Sequence, residues 1–212
     1  MKDEIQHILS GKSQVKYSDF IQTACSYLTR SQEASSVAKN QQQLKEQETK
    51  KLIQFADQNN LWVNNINIDN YVSQGAEQKV YLKDGAYVLK LNDAIYYASW
   101  IDYFQNLLLN NLFFPDTAYN LLGFYKDKEI FYAVVEQPFV KATAKTDLNI
   151  VKTFLGNNGF SNTKNHDYFN AELGIILEDL HDENVLTQNG MLYFIDTVFY
   201  IVSQIKNPNI FM

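Results

Sequence analysis

The stretch LEDLHDENVLTQNGMLYFIDT, residues 177–197, holds three residues whose types and spacing suit one kind of chemistry. Asp179 and Asn184 share a short acidic loop, and Asp196 follows twelve residues after Asn184, behind the apolar run MLYFI. An aspartate can orient a hydroxyl and take its proton. An amide oxygen and a second carboxylate are the hard oxygen donors that magnesium prefers, usually shared with phosphate oxygens. A solvated acidic turn between two strands would have the same composition, so the rest of the chain must be asked for the other parts of a magnesium-phosphate site.

Those parts are a roof over the phosphates and a cation upon them. Gly75, in GAEQKVYL, opens a turn before what reads as the first strand, where backbone amides can approach an anion, and Val80 can cover a base. Lys90, in YVLKLND, alternates with Val88 along a strand, and a lysine buried there needs an anionic partner. A lone strand lysine also serves as a guard on a sheet edge.

The elements that must position these residues follow from pattern. Residues 1–60 hold no proline and one glycine, and Leu44, Leu52, Ile53, Phe55 and Ala56 sit mostly on one helical face. This predicts a helical arm over 1–62, with 31–43 solvated, that covers Leu52, Phe55 and Trp62 against the rest of the chain, a partner or another copy. Two β-rich runs joined by Asp84-Gly85 predict a hairpin over 79–91. Tyr96, Trp100, Tyr103, Phe104, Leu107 and Leu108 recur at helical spacing, predicting a helix over 93–112. GFYKDKEIFYAVVEQPFV returns to β character. A helix-favouring stretch with loops runs from Asp147 to Leu177, and a short hairpin spans Val185 to Ile195 around QNG.

Composition narrows the partners. With 18 Lys and Arg against 24 Asp and Glu, the net charge of -6 argues against a nucleic-acid binder. Cys25 is the single cysteine, so it forms no intramolecular disulfide, and without a nearby base it reads as a small buried apolar residue. The start MKDEIQHILSGKSQ lacks the apolar core of a secretory signal, and no apolar run approaches the ~20 residues of a membrane helix. A cytoplasmic protein without a membrane partner is expected.

With these stretches in hand, the sequence resembles the protein-kinase-like superfamily, and most closely the compact serine/threonine/tyrosine kinase domains of phage and mobile-element polyvalent proteins. The similarity covers roughly 45–205, through GAEQKVYLKDGAYVLKLND, NNLFFPDTAYNLLGF, VVEQPFVKA, NNGF and DLHDENVLTQNGMLYFIDT. It implies an α+β, two-lobed fold: an antiparallel β lobe with one helix over 63–137, a reduced, mostly helical C-terminal lobe over 138–212, and a cleft between them. It also implies ATP and Mg²⁺ as cofactors. In the comparison Asp179 is the base, Asn184 and Asp196 ligate the metal, and Lys90 meets the phosphates. VVEQPF would be the hinge, with Val135 near the gatekeeper position, the Glu136–Gln137 backbone facing adenine, and Leu186 beneath the base. Gly75, Glu77, Val80 and Val88 complete the nucleotide set.

The departures are specific. The third-aspartate motif reads IDTV, LE precedes Asp179, and sixteen residues follow Asp196, which leaves no activation segment. The 93–112 segment offers Asp102 and no glutamate to pair with Lys90, so Glu77 in the roof turn is the expected carboxylate. Three readings follow. One is transfer of the ATP γ-phosphate to a hydroxyl of a protein or small molecule. Another is a pseudokinase-like module that binds nucleotide or a partner, and the last is nucleotidyl transfer on the same ligands. His181 and Asp182 lie in the loop, where a solvated histidine is the plainer reading; His7 and His166 have no metal-ligand spacing.

Overall fold

The computed structural model describes residues 1–33, 40–75 and 78–202. The chain divides into two compact units, one of residues 6–139 and one of residues 1–5 with 140–212.

The larger unit begins with helices. Its first residues are the second half of α1, Lys2–Leu9, and after them come α2, Asp19–Glu33, and α3, Gln41–Asn59. Asn40 opens α3 with a capping box that includes Gln43, and Asn60, at φ 54°, closes it in the left-handed region. Leu52, Phe55 and Ala56 of α3 are buried, as their spacing predicts, together with Ile21, Ala24, Cys25 and Leu28 of α2. They pack into one core with α4, Trp100–Phe113, and with Phe124, Phe131 and Val135 of the sheet. Both helices are therefore covered within the chain.

The sheet has five antiparallel strands in the order β1-β2-β3-β5-β4: Tyr71–Gln74, Gln78–Leu82, Tyr87–Asn92, Ile130–Pro138 and Asn120–Asp127. The hairpin expected at 79–91 is β2–β3. Strand β1 was not expected, so Gly75 lies between β1 and β2 rather than ahead of the first strand. Gly123 breaks the register of β4 at φ 148°, and a Cβ there would lie 2.1 Å from the Leu61 carbonyl oxygen. The reason is a parallel bridge between Trp62 and Phe124: Phe124 donates to Leu61 O and Val63 donates to Phe124 O, both at 2.8 Å. No side chain fits between them.

Helix α4 starts at Trp100 rather than near 93, because Ser99 caps it by accepting the Asp102 N–H. Ahead of it, Ala94 is held at φ 55° and the Lys45 ammonium donates to the Ala94 and Tyr97 carbonyls. Glu48, buried on α3, accepts the Trp100 N–H at 2.6 Å. Its carboxylate thus meets the positive end of α4, where an anion is stabilising. Replacing Glu48 with Ala leaves that N–H without its acceptor and should cost about 2 kcal/mol, read by urea denaturation at unchanged m-value.

The second unit corrects the expectation of a mostly helical C-terminal part. Of the stretch from Asp147 to Leu177 only α5, Leu148–Asn157, is helical. Gly159 at φ 80° turns the chain away, and the residues beyond enter strands. β6, Ser161–Asn162, β7, Tyr168–Asn170, and β8, Ile175–Glu178, join β11, Val198–Ile201, in an antiparallel sheet of order β11-β8-β7-β6. The β-branched pair Ile175-Ile176, both buried, is better suited to a pleated sheet than to a helix. β9, Val185–Gln188, and β10, Met191–Phe194, form the expected hairpin around Asn189 and Gly190, both at positive φ as a type I′ turn demands. Among the described residues no helix is long and apolar enough to cross a membrane.

Candidate active site

Two ladders bring the acidic motif together. Glu178 of β8 pairs with Val198 of β11, so the end of β8 and the start of β11 leave the sheet on one side. Asp179 stands one residue beyond the first, and Asp196 two residues before the second. Ile195 then donates its N–H to the Asn184 carbonyl at 2.9 Å, which ties the end of the loop to the residue before Asp196. Buried Leu180 and Val185 anchor the loop from inside.

Asp179 adopts φ 67°, a left-handed conformation that a short polar side chain tolerates better than most. Its N–H donates to Asp167 Oδ1 at 3.3 Å, and the Leu180 N–H donates to the His166 carbonyl at 3.2 Å. The Asn184 amide nitrogen donates to the Asp179 carbonyl and to Asp179 Oδ2, both at 2.9 Å. Two N–H groups pointing one way leave Asn184 Oδ1 as the end of the amide able to accept a cation. The Asp179 side chain remains 57% exposed, open to solvent.

Magnesium suits this donor set, since the amide oxygen of Asn184 and the carboxylate of Asp196 are both hard ligands and phosphate oxygens would supply more. Among the described residues there is no cluster of three or more His, Cys, Asp or Glu able to hold a metal alone. A metal held by two protein ligands and a nucleotide needs no such cluster. The pair Lys145–Asp182, at 3.4 Å with Lys145 85% exposed, is a surface contact of small weight.

In the larger unit, Val80, Lys90 and Val135 stand opposite one another across β2, β3 and β5, and Val88 stands opposite Gln137. Alternation puts these five on one face of the sheet. Lys90 is buried, with its ammonium 5.4 Å from the centroid of the Tyr119 ring. Val135 is buried and Gln137 donates to the Thr117 carbonyl at 2.8 Å. Glu136 takes the opposite face, where Lys83 lies 2.5 Å away and Asn120 donates at 2.8 Å. The backbone of Glu136 and Gln137 belongs to β5, paired with Leu89 and Val88. Gly75 donates its N–H to Gln78 O across the β1–β2 turn, and a Cβ there would meet nothing within 4 Å. Asp102 is engaged by its own helix cap, accepting from the Ser99 hydroxyl at 2.8 Å. Glu77 lies outside the described residues. Leu186, half-buried in β9, pairs with Tyr193.

The sequence model of the serine/threonine/tyrosine kinases found in polyvalent proteins matches residues 45–203, three quarters of the chain. The chain belongs to this family of polyvalent-protein kinases. No curated protein sequence matches it. The matched span runs from within α3 through the five-stranded sheet, α4 and α5 to the end of β11, so it takes in Lys90 as well as Asp179, Asn184 and Asp196.

Sequence reasoning missed the part played by Asp167 and His166, which hold the acidic loop from the turn before β7. Their contacts depend on pairing across β7–β8, and nothing in their local spacing announces that. Asp167 also bears on Glu178. Burial, then the nearby charges of Asp167 and Asp179, push the Glu178 carboxyl above the ordinary carboxylate range. A carboxyl raised on folding favours the folded state while protonated and costs stability once pH climbs past its unfolded value. Glu178→Gln should therefore raise Tm near pH 7, and the gain should vanish by about pH 3, where both forms are neutral. Scanning calorimetry at the two pH values checks it.

Proposed function

We propose that this polyvalent-protein kinase is an ATP- and Mg²⁺-dependent phosphotransferase that moves the γ-phosphate to a hydroxyl of a protein or small molecule. Magnesium-ATP would supply the phosphoryl group and neutralise its charge. The observation that carries the reading is the Asn184 amide: its nitrogen holds Asp179 by backbone and carboxylate together, and its oxygen is left for a metal. Asp179 orients the acceptor hydroxyl and takes its proton late. In this reading Asn184 Oδ1 and the Asp196 carboxylate would hold the metal, and the Lys90 ammonium would meet the phosphates. The resemblance names Gly75, Glu77, Val80, Val88, Val135 and Gln137, with the Glu136 backbone, as the nucleotide contacts of the larger unit, and Leu186 as that of the other.

A nucleotide-binding module without transfer is the second reading, supported by α4, whose single acidic residue is engaged by its helix cap. Incubation with γ-labelled and, separately, α-labelled ATP plus magnesium and a cell extract as acceptor separates the cases. The kinase reading expects γ-label on an acceptor. Transfer of α-label replaces it with nucleotidyl transfer, and binding without transfer leaves the module.

A further inference from the structure

Lys90 lies in the middle strand of the larger unit's sheet, 4% exposed, and a buried ammonium must replace the water it gives up. Val80 and Val135 flank it on the neighbouring strands. At its tip the ammonium lies over the Tyr119 ring, 5.4 Å from the centroid. The negative face of an aromatic ring attracts a cation, and more strongly where water is excluded. Tyr119 is buried as well, so water is excluded from both partners.

The tyrosine is held in turn by its backbone. Its N–H donates to Asn111 Oδ1 at 2.7 Å and its carbonyl accepts from Asn111 Nδ2 at 2.8 Å, so one amide side chain grips the residue on both sides. Asn111 is buried near the end of α4, and its Nδ2 also donates to the Lys16 carbonyl at 3.0 Å. Two residues before Tyr119, the Thr117 carbonyl accepts from Asn110 Nδ2 at 3.2 Å and from Gln137 Nε2 at 2.8 Å. Residues 117–119 are therefore fixed by α4 and β5 together. Helix α4 carries no glutamate, yet it reaches the Lys90 ammonium by this route. We propose that Tyr119 is a positioning residue, whose ring, set in place by Asn111, holds the Lys90 ammonium where it would meet the phosphates. A ring face attracts the ammonium without neutralising it, so the group keeps its charge for an anion. This rests on the reading of Lys90 as the cation on the phosphates.

Two substitutions separate the ring from the rest of the side chain: Tyr119→Phe keeps it, and Tyr119→Leu removes it while leaving an apolar side chain. NMR of protein carrying isotope-labelled lysine gives a readout that needs no activity. The Lys90 ε-methylene signals, assigned by their loss in Lys90→Arg, should lie upfield of those of a solvated lysine through the ring current of Tyr119. They should stay there in Tyr119→Phe and return to the ordinary position in Tyr119→Leu. In calorimetric titration Tyr119→Leu should bind magnesium-ATP about tenfold more weakly, and Tyr119→Phe nearly as the parent does. Lys90 signals at the ordinary position in the parent, signals that Tyr119→Leu leaves in place, parental affinity in Tyr119→Leu, or a Tyr119→Phe variant as weak as Tyr119→Leu would each overturn the assignment. Should Tyr119→Leu fail to fold, the signals of the parent and of Tyr119→Phe still decide. If the parent binds no magnesium-ATP, the proposed function fails by itself, and the Lys90 signals still show whether the ring holds the ammonium.

Discussion

Asp179→Asn should lower turnover by roughly 10²-fold or more while magnesium-ATP binds almost as before. The first half of the expectation is the loss of a proton acceptor, since an amide cannot take the hydroxyl proton as the new bond forms. The second half is geometric. The carboxylate accepts the Asn184 N–H on Oδ2 at 2.9 Å. An asparagine that keeps this bond turns its single oxygen toward Asn184 and presents its own N–H groups where Oδ1 stood, so it meets the acceptor hydroxyl with donors in place of an acceptor. The Asn184–Asp179 carbonyl bond at 2.9 Å survives, so Asn184 keeps its place and the metal its amide ligand. Calorimetric titration of magnesium-ATP beside a γ-transfer assay measures both quantities. A variant that retains half the parental turnover would remove Asp179 from the role of base.

The same residues show what a sequence can reveal and what it hides. Asp179, Asn184 and Asp196 were legible because their types and spacing reflect a local loop followed by a two-residue hairpin turn, and Asn189-Gly190 sets that turn by backbone chemistry alone. That Val88 and Lys90 share a face was legible by alternation; that Val80, Val135 and Gln137 join them depends on the register of β2, β3 and β5. The strands after α5 were not. Short segments such as Tyr168–Asn170 carry too few residues to express a period, and their state is set by pairing with neighbours distant in sequence. Strand β1 was hidden for a like reason: Tyr71 and Val72 are exposed and gain their structure from the ladder to β2. Gly123 looked like any glycine, because what excludes a side chain there is the parallel approach of Leu61–Val63, more than fifty residues earlier. Glu48 was not singled out in the sequence, yet it is buried and accepts the Trp100 N–H at the start of α4. A charged residue inside an amphipathic pattern reads as surface until its partner, here the N-terminus of another helix, is known.

Asp196→Asn should produce the complementary defect. The substitution keeps the size of the side chain and one oxygen but takes a full negative charge from the pair that would hold magnesium. Even changes one shell removed from a metal cost about 10- to 100-fold in affinity, so a loss of at least tenfold in magnesium-dependent nucleotide binding is expected from a direct ligand. Turnover should fall with it, and excess magnesium should restore part of both. Asp179→Asn, in contrast, should not respond to added metal, because its defect lies in proton transfer. Asn184 joins the two effects, with its nitrogen on Asp179 and its oxygen proposed for the metal. Asn184→Ala should therefore show weakened magnesium-nucleotide binding and, at saturating magnesium, a residual turnover defect that adds little to that of Asp179→Asn in the double variant. Titrations of magnesium at fixed nucleotide in the parent and the three variants give the comparison. Equal metal dependence in the parent and Asp196→Asn would mean that Asp196 holds no cation and that the acidic loop must do its work, if any, without it.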